Sequence, residues 1–392
     1  MHLLINALAA SAGAGLTYVR NVAPQLALTS GLQASILLRP ALRSELGHYP
    51  NVKFIEREGP AGAGRRFWYE QSIIPQLIRS QGADVLLSAG NFALRGSGVP
   101  QILLSGNSLY TSRDFLKDLY ARRDYKLWLD TKIKGVFARK SVHWADVTVA
   151  PSAAFAAQLR EWVRGNIVSI HHGFDRDTFF AQEASLDPAL ASKLEATKGA
   201  LRLLLVSHYN YYRNFETLLR AVPHLRLMLP GRPVKVLLTC TLRTEDNPGS
   251  FHADAAARIV EQLGIGAEVV QLGAVPYRQL HHVCAACDLY VTPAYTETFA
   301  HHVVEAMASG LPVIAADIPL HREICGEAAV YFSRFSPQEL ATRVAEVAAN
   351  SSLMQTLSAQ GKRESTRFNW AQHVDEIVAL ANSLHRRKPN AG

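Results

Sequence analysis

The sequence holds little cysteine, four residues among 392, and as few methionines. Cysteines at 240, 284, 287 and 325 are too sparse for a disulfide framework. Cys284 and Cys287 form one C-x-x-C, but no second pair stands at zinc spacing. Their surroundings read as a helix running into a strand, so buried thiols in a reducing compartment are expected. No apolar run reaches the roughly 18 residues that a membrane-spanning helix needs. H-E-x-x-H is absent, so His301 and Glu305, four residues apart, lack the rest of a helical zinc site. G-x-G-x-x-G is absent too: after Gly13 and Gly15, Val19 and Arg20 stand where a third glycine would fall. The apolar amino-terminal stretch has no basic flank and soon breaks at glycine, so it reads as a first strand over 3–8, not a signal peptide.

The remaining composition is that of a globular chain, 48% hydrophobic and 19% charged. The length predicts roughly two domains. A net charge of +8 suits acidic partners such as nucleotides or an anionic membrane surface. No recognition module accompanies the basic residues, which argues against nucleic acid.

What is present is alternation. Short apolar runs at 2–8, 34–40, 51–56, 83–89, 100–106, 145–151 and 167–173 are separated by longer, mostly amphipathic stretches. The pattern restarts at 201–208 and continues through 234–240, 268–274, 288–294, 312–317 and 328–332. Near-continuous apolar strands between helices indicate parallel sheets covered on both faces. The expected fold is α/β, two Rossmann-like doubly wound domains facing across a cleft. The expected organisation is a first Rossmann-like domain over 1–172, a linker over 173–199 and a second Rossmann-like domain over 200–366. A terminal helix over 367–392 would return towards the first domain.

Ligands of such folds sit just beyond the carboxyl ends of strands, so the residues there are the ones to weigh. After the run 288–294 come Glu297, Thr298, Phe299, Ala300, His301 and, within a helix, Glu305. Unsatisfied amides at a helix start can receive a phosphate. On spacing alone an equally good reading has Thr298 capping the helix and Glu305 as a solvated surface acid. After the run 201–208, Arg213 stands at a helix entrance, where a guanidinium can clamp a diphosphate, and His208 is close enough to assist. Asp175 and Asp177 make a D-x-D, but in a linker, where turn or cap duty is expected. Residues 112–144 hold nine basic residues against four aspartates, with Phe115, Leu119, Tyr125, Trp128 and Phe137 interleaved. They read as a basic amphipathic helix for an anionic membrane surface, or else as a solvated helical face.

Taken together, Glu297-x7-Glu305 with 306–332 behind it, the stretches 273–294 and 206–221, and the segments 145–159 and 167–179 resemble the retaining family 4 glycosyltransferases of the GT-B fold. The likeness covers most of 145–335. It implies that Arg213, where the family usually has lysine, contacts the donor diphosphate, with His208 in place of a partner arginine. It implies that Glu305 holds the ribose hydroxyls and that Glu297 meets the donor sugar near its reacting carbon. Amides around Phe299 and Ala300 would bind phosphate, Thr298 and His301 would line the donor, and Gly15 would lie against phosphate or acceptor. The family's first-domain histidine is missing. Asn107 stands near its place and is a hydrogen-bonding group, not a base. The implied activity is metal-independent transfer of a sugar, with retention, from a UDP-, GDP- or dTDP-linked donor to a glycan or lipid-linked acceptor. The donor is a substrate, so no cofactor is implied. Bacterial surface polysaccharide assembly is the expected setting, with the enzyme cytoplasmic and peripheral on the inner membrane face. A nucleotide-sugar epimerase of the same fold, or a non-catalytic nucleotide-sugar-binding partner, are the alternatives.

Overall fold

A computed structural model describes residues 1–10, 14–181, 185–247, 249 and 251–387; Gly13 lies outside them. Each of the apolar runs contains a strand. The first seven are β1 (His2–Asn6), β2 (Gln33–Leu38), β3 (Val52–Glu56), β4 (Val85–Ser88), β5 (Gln101–Leu104), β6 (Val147–Ala150) and β7 (Ile167–Ser169). They pair in parallel in the order β3-β2-β1-β4-β5-β6-β7. The next six are β8 (Leu201–Leu205), β9 (Val234–Leu238), β10 (Val269–Gln271), β11 (Leu289–Thr292), β12 (Val313–Ala316) and β13 (Ala329–Phe332). They pair in parallel in the order β10-β9-β8-β11-β12-β13.

Two-residue alternation explains why the strands are mostly apolar. In β1, Leu3 and Ile5 join the core on one face of the sheet. Leu4, with Leu8 just beyond, joins Ile74 and Ile78 of the helix Ala63–Gln81 on the other. Both faces are covered, so no position along the strand favours a polar residue. The last helix, Trp370–Arg387, supplies Trp370, Val374, Ile377, Ala381 and Leu384 to the Leu3 face.

The chain divides into two compact units: 1–111 with 128–173 and 369–392, and 112–127 with 174–368. The segment 112–144 is therefore not the single amphipathic helix expected. It forms two helices, Arg113–Ala121 and Tyr125–Trp144, and Arg123 between them has a left-handed backbone (φ 59°), which no α-helix can propagate. The first packs into the second unit with Phe115 and Leu119 fully buried, so its apolar side is not free for a membrane. The segment 174–199 is not bare linker either: it forms the short helices Arg176–Phe179 and Pro188–Glu195.

Candidate functional site

In the second sheet, β8 and β11 are neighbours, yet the chain leaves β8 towards β9 on one side and β11 towards β12 on the other. Ligands of doubly wound sheets bind in the crevice at such a point, beside the loops that follow the carboxyl ends of the two strands. Those loops carry the predicted donor residues.

The loop after β8 is built by asparagines. Asn210, fully buried, accepts the Arg213 amide at 3.1 Å and closes a 3-10 turn, Tyr211–Arg213. Asn214 takes the left-handed conformation (φ 56°) that asparagine tolerates. Its amide donates to the carbonyls of Pro293 (3.1 Å) and Arg334 (2.8 Å). With Tyr295 N–H donating to Tyr212 O at 3.1 Å, the two loops are tied together.

Arg213 is thereby brought against Glu297, with which it forms an ion pair, and its Nη1 lies 2.5 Å from His302 Nε2. Glu297 is buried and the Arg213 side chain is only 16% exposed, and Arg213 Nε has no hydrogen-bond partner among the described residues. A buried donor of this kind costs free energy unless a ligand supplies an acceptor. Burial, and then the nearby Arg213 charge, hold His302 well below the usual imidazole range, so it is neutral and Nε2 accepts from Arg213. Burial and Arg213 also depress His208. His321 is fully buried behind them, donates from Nδ1 to Ala316 O at 2.7 Å, and is pushed down to about 4 by burial.

The helix His301–Ala308 begins without a side-chain cap. Its N-cap is Ala300, in a left-handed conformation (φ 62°), so the reading of Thr298 as the cap is overturned. Glu305 is not a solvated acid: it is 8% exposed, burial raises its carboxyl to about 7, and its bond to Tyr277 opposes the rise. Phe299 is buried with its ring 5.2 Å from Phe368 and 4.8 Å from His301, so His301 faces an aromatic and His302 faces Arg213.

A second polar network underlies these loops. Arg122, from the helix docked out of the first half of the sequence, bonds Asp118 (2.8 Å) and Glu216 (2.9 Å), and its guanidinium lies over the Tyr211 ring. Tyr295 donates to Asp118 at 2.8 Å and Tyr209 to Glu216 at 2.7 Å. Tyr295 is two residues from Glu297, and Tyr209 adjoins His208. Neither this network nor His302, Asn214 and Tyr277 is among the site residues the sequence suggests, because pairs this far apart in sequence leave no periodic signal.

Asn107 and Gly15 lie in the first unit. Asn107 caps the 3-10 turn Ser108–Tyr110, accepting from Leu109 N–H at 3.0 Å, and also bonds the Tyr110 hydroxyl. Gly15 is at the start of the helix Ala14–Leu28, where a Cβ would come within 3.0 Å of Ala10 Cα. Asp175 caps the helix Arg176–Phe179 through Thr178 N–H at 3.0 Å. The four cysteines are free thiols, and burial raises Cys284 to about 12 and Cys287 higher still, so neither is a ready thiolate.

Residues 188–364 match the family model described as glycosyl transferases group 1. The chain is similar to the D-inositol 3-phosphate glycosyltransferase of Rhodococcus erythropolis, 27% identical over 194 residues, or 49% of this chain and 43% of that relative. It thus matches less than two thirds of that relative's length. Among solved structures it resembles sucrose-phosphate synthase from Thermosynechococcus elongatus, with a TM-score of 0.74, 16% identity, and coverage of 98% and 99% of the two chains. It also resembles Anabaena HepE in complex with UDP, with a TM-score of 0.69, 18% identity, and coverage of 98% and 100%. These likenesses show the GT-B fold. The family model lies over the unit that carries Arg213, Glu297 and Glu305, so it is this part of the chain that resembles the glycosyl transferases group 1.

Proposed function

We propose that this chain transfers a sugar, with retention, from a nucleotide-sugar donor to a glycan or lipid-linked acceptor in bacterial surface polysaccharide assembly. It would work in the cytoplasm at the inner face of the cell membrane. The observation that carries the reading is Arg213, largely buried and with an unpartnered Nε, beside the start of the helix His301–Ala308 and two buried glutamates. Breaking a glycosyl–phosphate bond builds negative charge on the leaving diphosphate. A helix start contributes about 0.3–2 kcal/mol and a charge-assisted hydrogen bond about 1.5–3 kcal/mol. Several together supply a barrier reduction in which about 1.4 kcal/mol is tenfold in rate. Arg213 and the amides near Phe299 and Ala300 take the diphosphate. His302, held neutral, accepts from Arg213 without competing for the phosphate as a second cation or anion. Glu305 receives the ribose hydroxyls, with Tyr277 fixing its orientation. Glu297 meets the donor sugar, and His208, Thr298 and His301 line the donor. With no base assigned among these residues, the leaving phosphate deprotonates the acceptor hydroxyl.

The donor is a UDP-, GDP- or dTDP-sugar; the UDP complex of the similarly folded Anabaena protein makes uridine the first to try. Calorimetric titration of the four diphosphates UDP, GDP, dTDP and ADP tests the site. One of them is expected to bind in the micromolar range without added metal, at least about tenfold more weakly to Arg213→Ala. No binding of any of the four to folded protein would remove the donor site.

A further inference from the structure

The exposed large apolar side chains of the first unit are concentrated on one face. Leu129 (54% exposed), Ile133 (50%) and Val136 (54%) project from one side of the helix Tyr125–Trp144. Trp68 (67%), on the helix Ala63–Gln81, lies with Ile133 along a groove of about 160 Å³ walled by Phe67, Phe92 and Phe137, with the paired Asp130 and Lys134 at its side. Steps of three and four residues put Leu129, Lys132, Ile133, Val136, Arg139 and Lys140 on the solvent side, while Thr131, Gly135, Ala138 and Val142 are buried. The one carboxylate at the edge, Asp130, is paired with Lys134 at 2.5 Å.

A contiguous apolar patch held in water marks a surface that is covered by something. Three cations among the aliphatics, against the single carboxylate of Asp130 already paired with Lys134, decide by what. Protein–protein interfaces are depleted in lysine at their centre. Branched aliphatics and lysines on one helical face, with a tryptophan from the neighbouring helix, are instead the composition that lies at a lipid headgroup boundary. Lysine and arginine stems stay among the apolar groups while their heads reach the phosphates. We propose that this face, Trp68 with Leu129, Ile133 and Val136 rimmed by Lys132, Arg139 and Lys140, docks the protein on an anionic phospholipid bilayer, with the groove beside Trp68 receiving a hydrocarbon chain. The helix Arg113–Ala121 takes no part in it. The inference deepens the reading of a lipid-linked acceptor and rests on it for its purpose, but not on the nucleotide site.

The test is flotation of the full chain with vesicles of phosphatidylcholine alone or with added phosphatidylglycerol. Binding is expected only with phosphatidylglycerol, and it weakens as salt rises from about 50 to about 500 mM. Ile133→Ser with Val136→Ser, both exposed positions, is expected to lower binding at low salt by about tenfold or more, and Lys132→Gln with Lys140→Gln to do likewise. The tryptophan emission shift on binding is expected to shrink in Trp68→Phe. Nucleotide titration of the same variants should match the parent protein, which separates loss of this surface from failure of the donor site. No binding to phosphatidylglycerol vesicles at low salt, or binding indifferent to the Ile133/Val136 pair, overturns the proposal. Concentration-dependent self-association abolished by that pair would assign the face to a second copy instead.

Discussion

Ala300 holds a left-handed backbone in which a Cβ crowds the carbonyl oxygen, and its residue is 3% exposed. Ala300→Gly relieves the crowding but loses a buried methyl, so thermal unfolding should shift stability by no more than about 1 kcal/mol. Ala300→Val adds β-branching to the same conformation and should cost about 2 kcal/mol or more, with weakened nucleotide binding as the helix start moves. Glu305 makes a second prediction. Its carboxyl ionises near 4.5 unfolded and at about 7 folded, so between these values the folded state holds a proton that the unfolded state lacks. Its contribution to stability therefore falls as pH rises through that window. Ribose hydroxyls donating to the carboxylate favour the ionised form. Nucleotide affinity should accordingly rise between about pH 6 and 8 with proton release, seen in calorimetry across buffers of different ionisation enthalpy. Glu305→Gln should flatten that profile; an unchanged profile would mean the nucleotide does not engage Glu305. That Glu305 and Arg213 stand at strand ends is visible in the sequence. That Glu305 is buried, and that Arg213 lies on His302 as well as Glu297, is not, because exposure depends on what packs above.

At the scale of elements, the helix Arg113–Ala121 braces both donor loops although it precedes them by about ninety residues or more. Removing Arg122 leaves the partly buried Asp118 and Glu216 without their cation. Arg122→Ala is expected to cost about 2 kcal/mol in unfolding of the second unit and to weaken nucleotide binding, while an Arg122/Glu216 double-mutant cycle should give coupling of about 1–2 kcal/mol. Additive single effects would show the pair to be incidental. Gly173 lets the last helix meet the first unit: a Cβ there would fall 2.2 Å from Trp370 N. Gly173→Ala should therefore cost roughly 1–3 kcal/mol and expose the helix Trp370–Arg387 to protease. The sequence marks these helices by their periodicity but not their destinations. Amphipathic stripes state that a face is buried, not against what.

At the scale of the molecule, histidine burial sets the acid limit. His302, His321 and His373 are all held below the ordinary imidazole value, chiefly by burial, the last two at about 4. Below pH 6.5 the unfolded chain takes protons that these folded imidazoles refuse, so stability falls as pH falls towards 4. Glu305, Glu70 and Asp118, whose carboxyls burial raises, act in the opposite direction over part of the range, against five lowered histidines, since His208 and His281 join the three. The thermal midpoint is expected to drop steadily from pH 6.5 to 4.5, and His373→Phe or His321→Leu to reduce the slope if its apolar replacement packs.

The sequence by itself determined the strands, the restart of the pattern near residue 200, and the family likeness over most of the second half. All of these live in short windows: apolar runs, turn residues and motifs of fixed spacing. Strand order and the crevice between β8 and β11 required the fold, since a sheet is assembled from segments whose pairing no local period encodes. The division of 112–144 between two units turned on the left-handed Arg123 and on the surfaces that Phe115 and Leu119 found. The shifts of Glu305 and the histidines came only with tertiary packing, because a pKa answers to the solvent that folding removes and the charges it brings near.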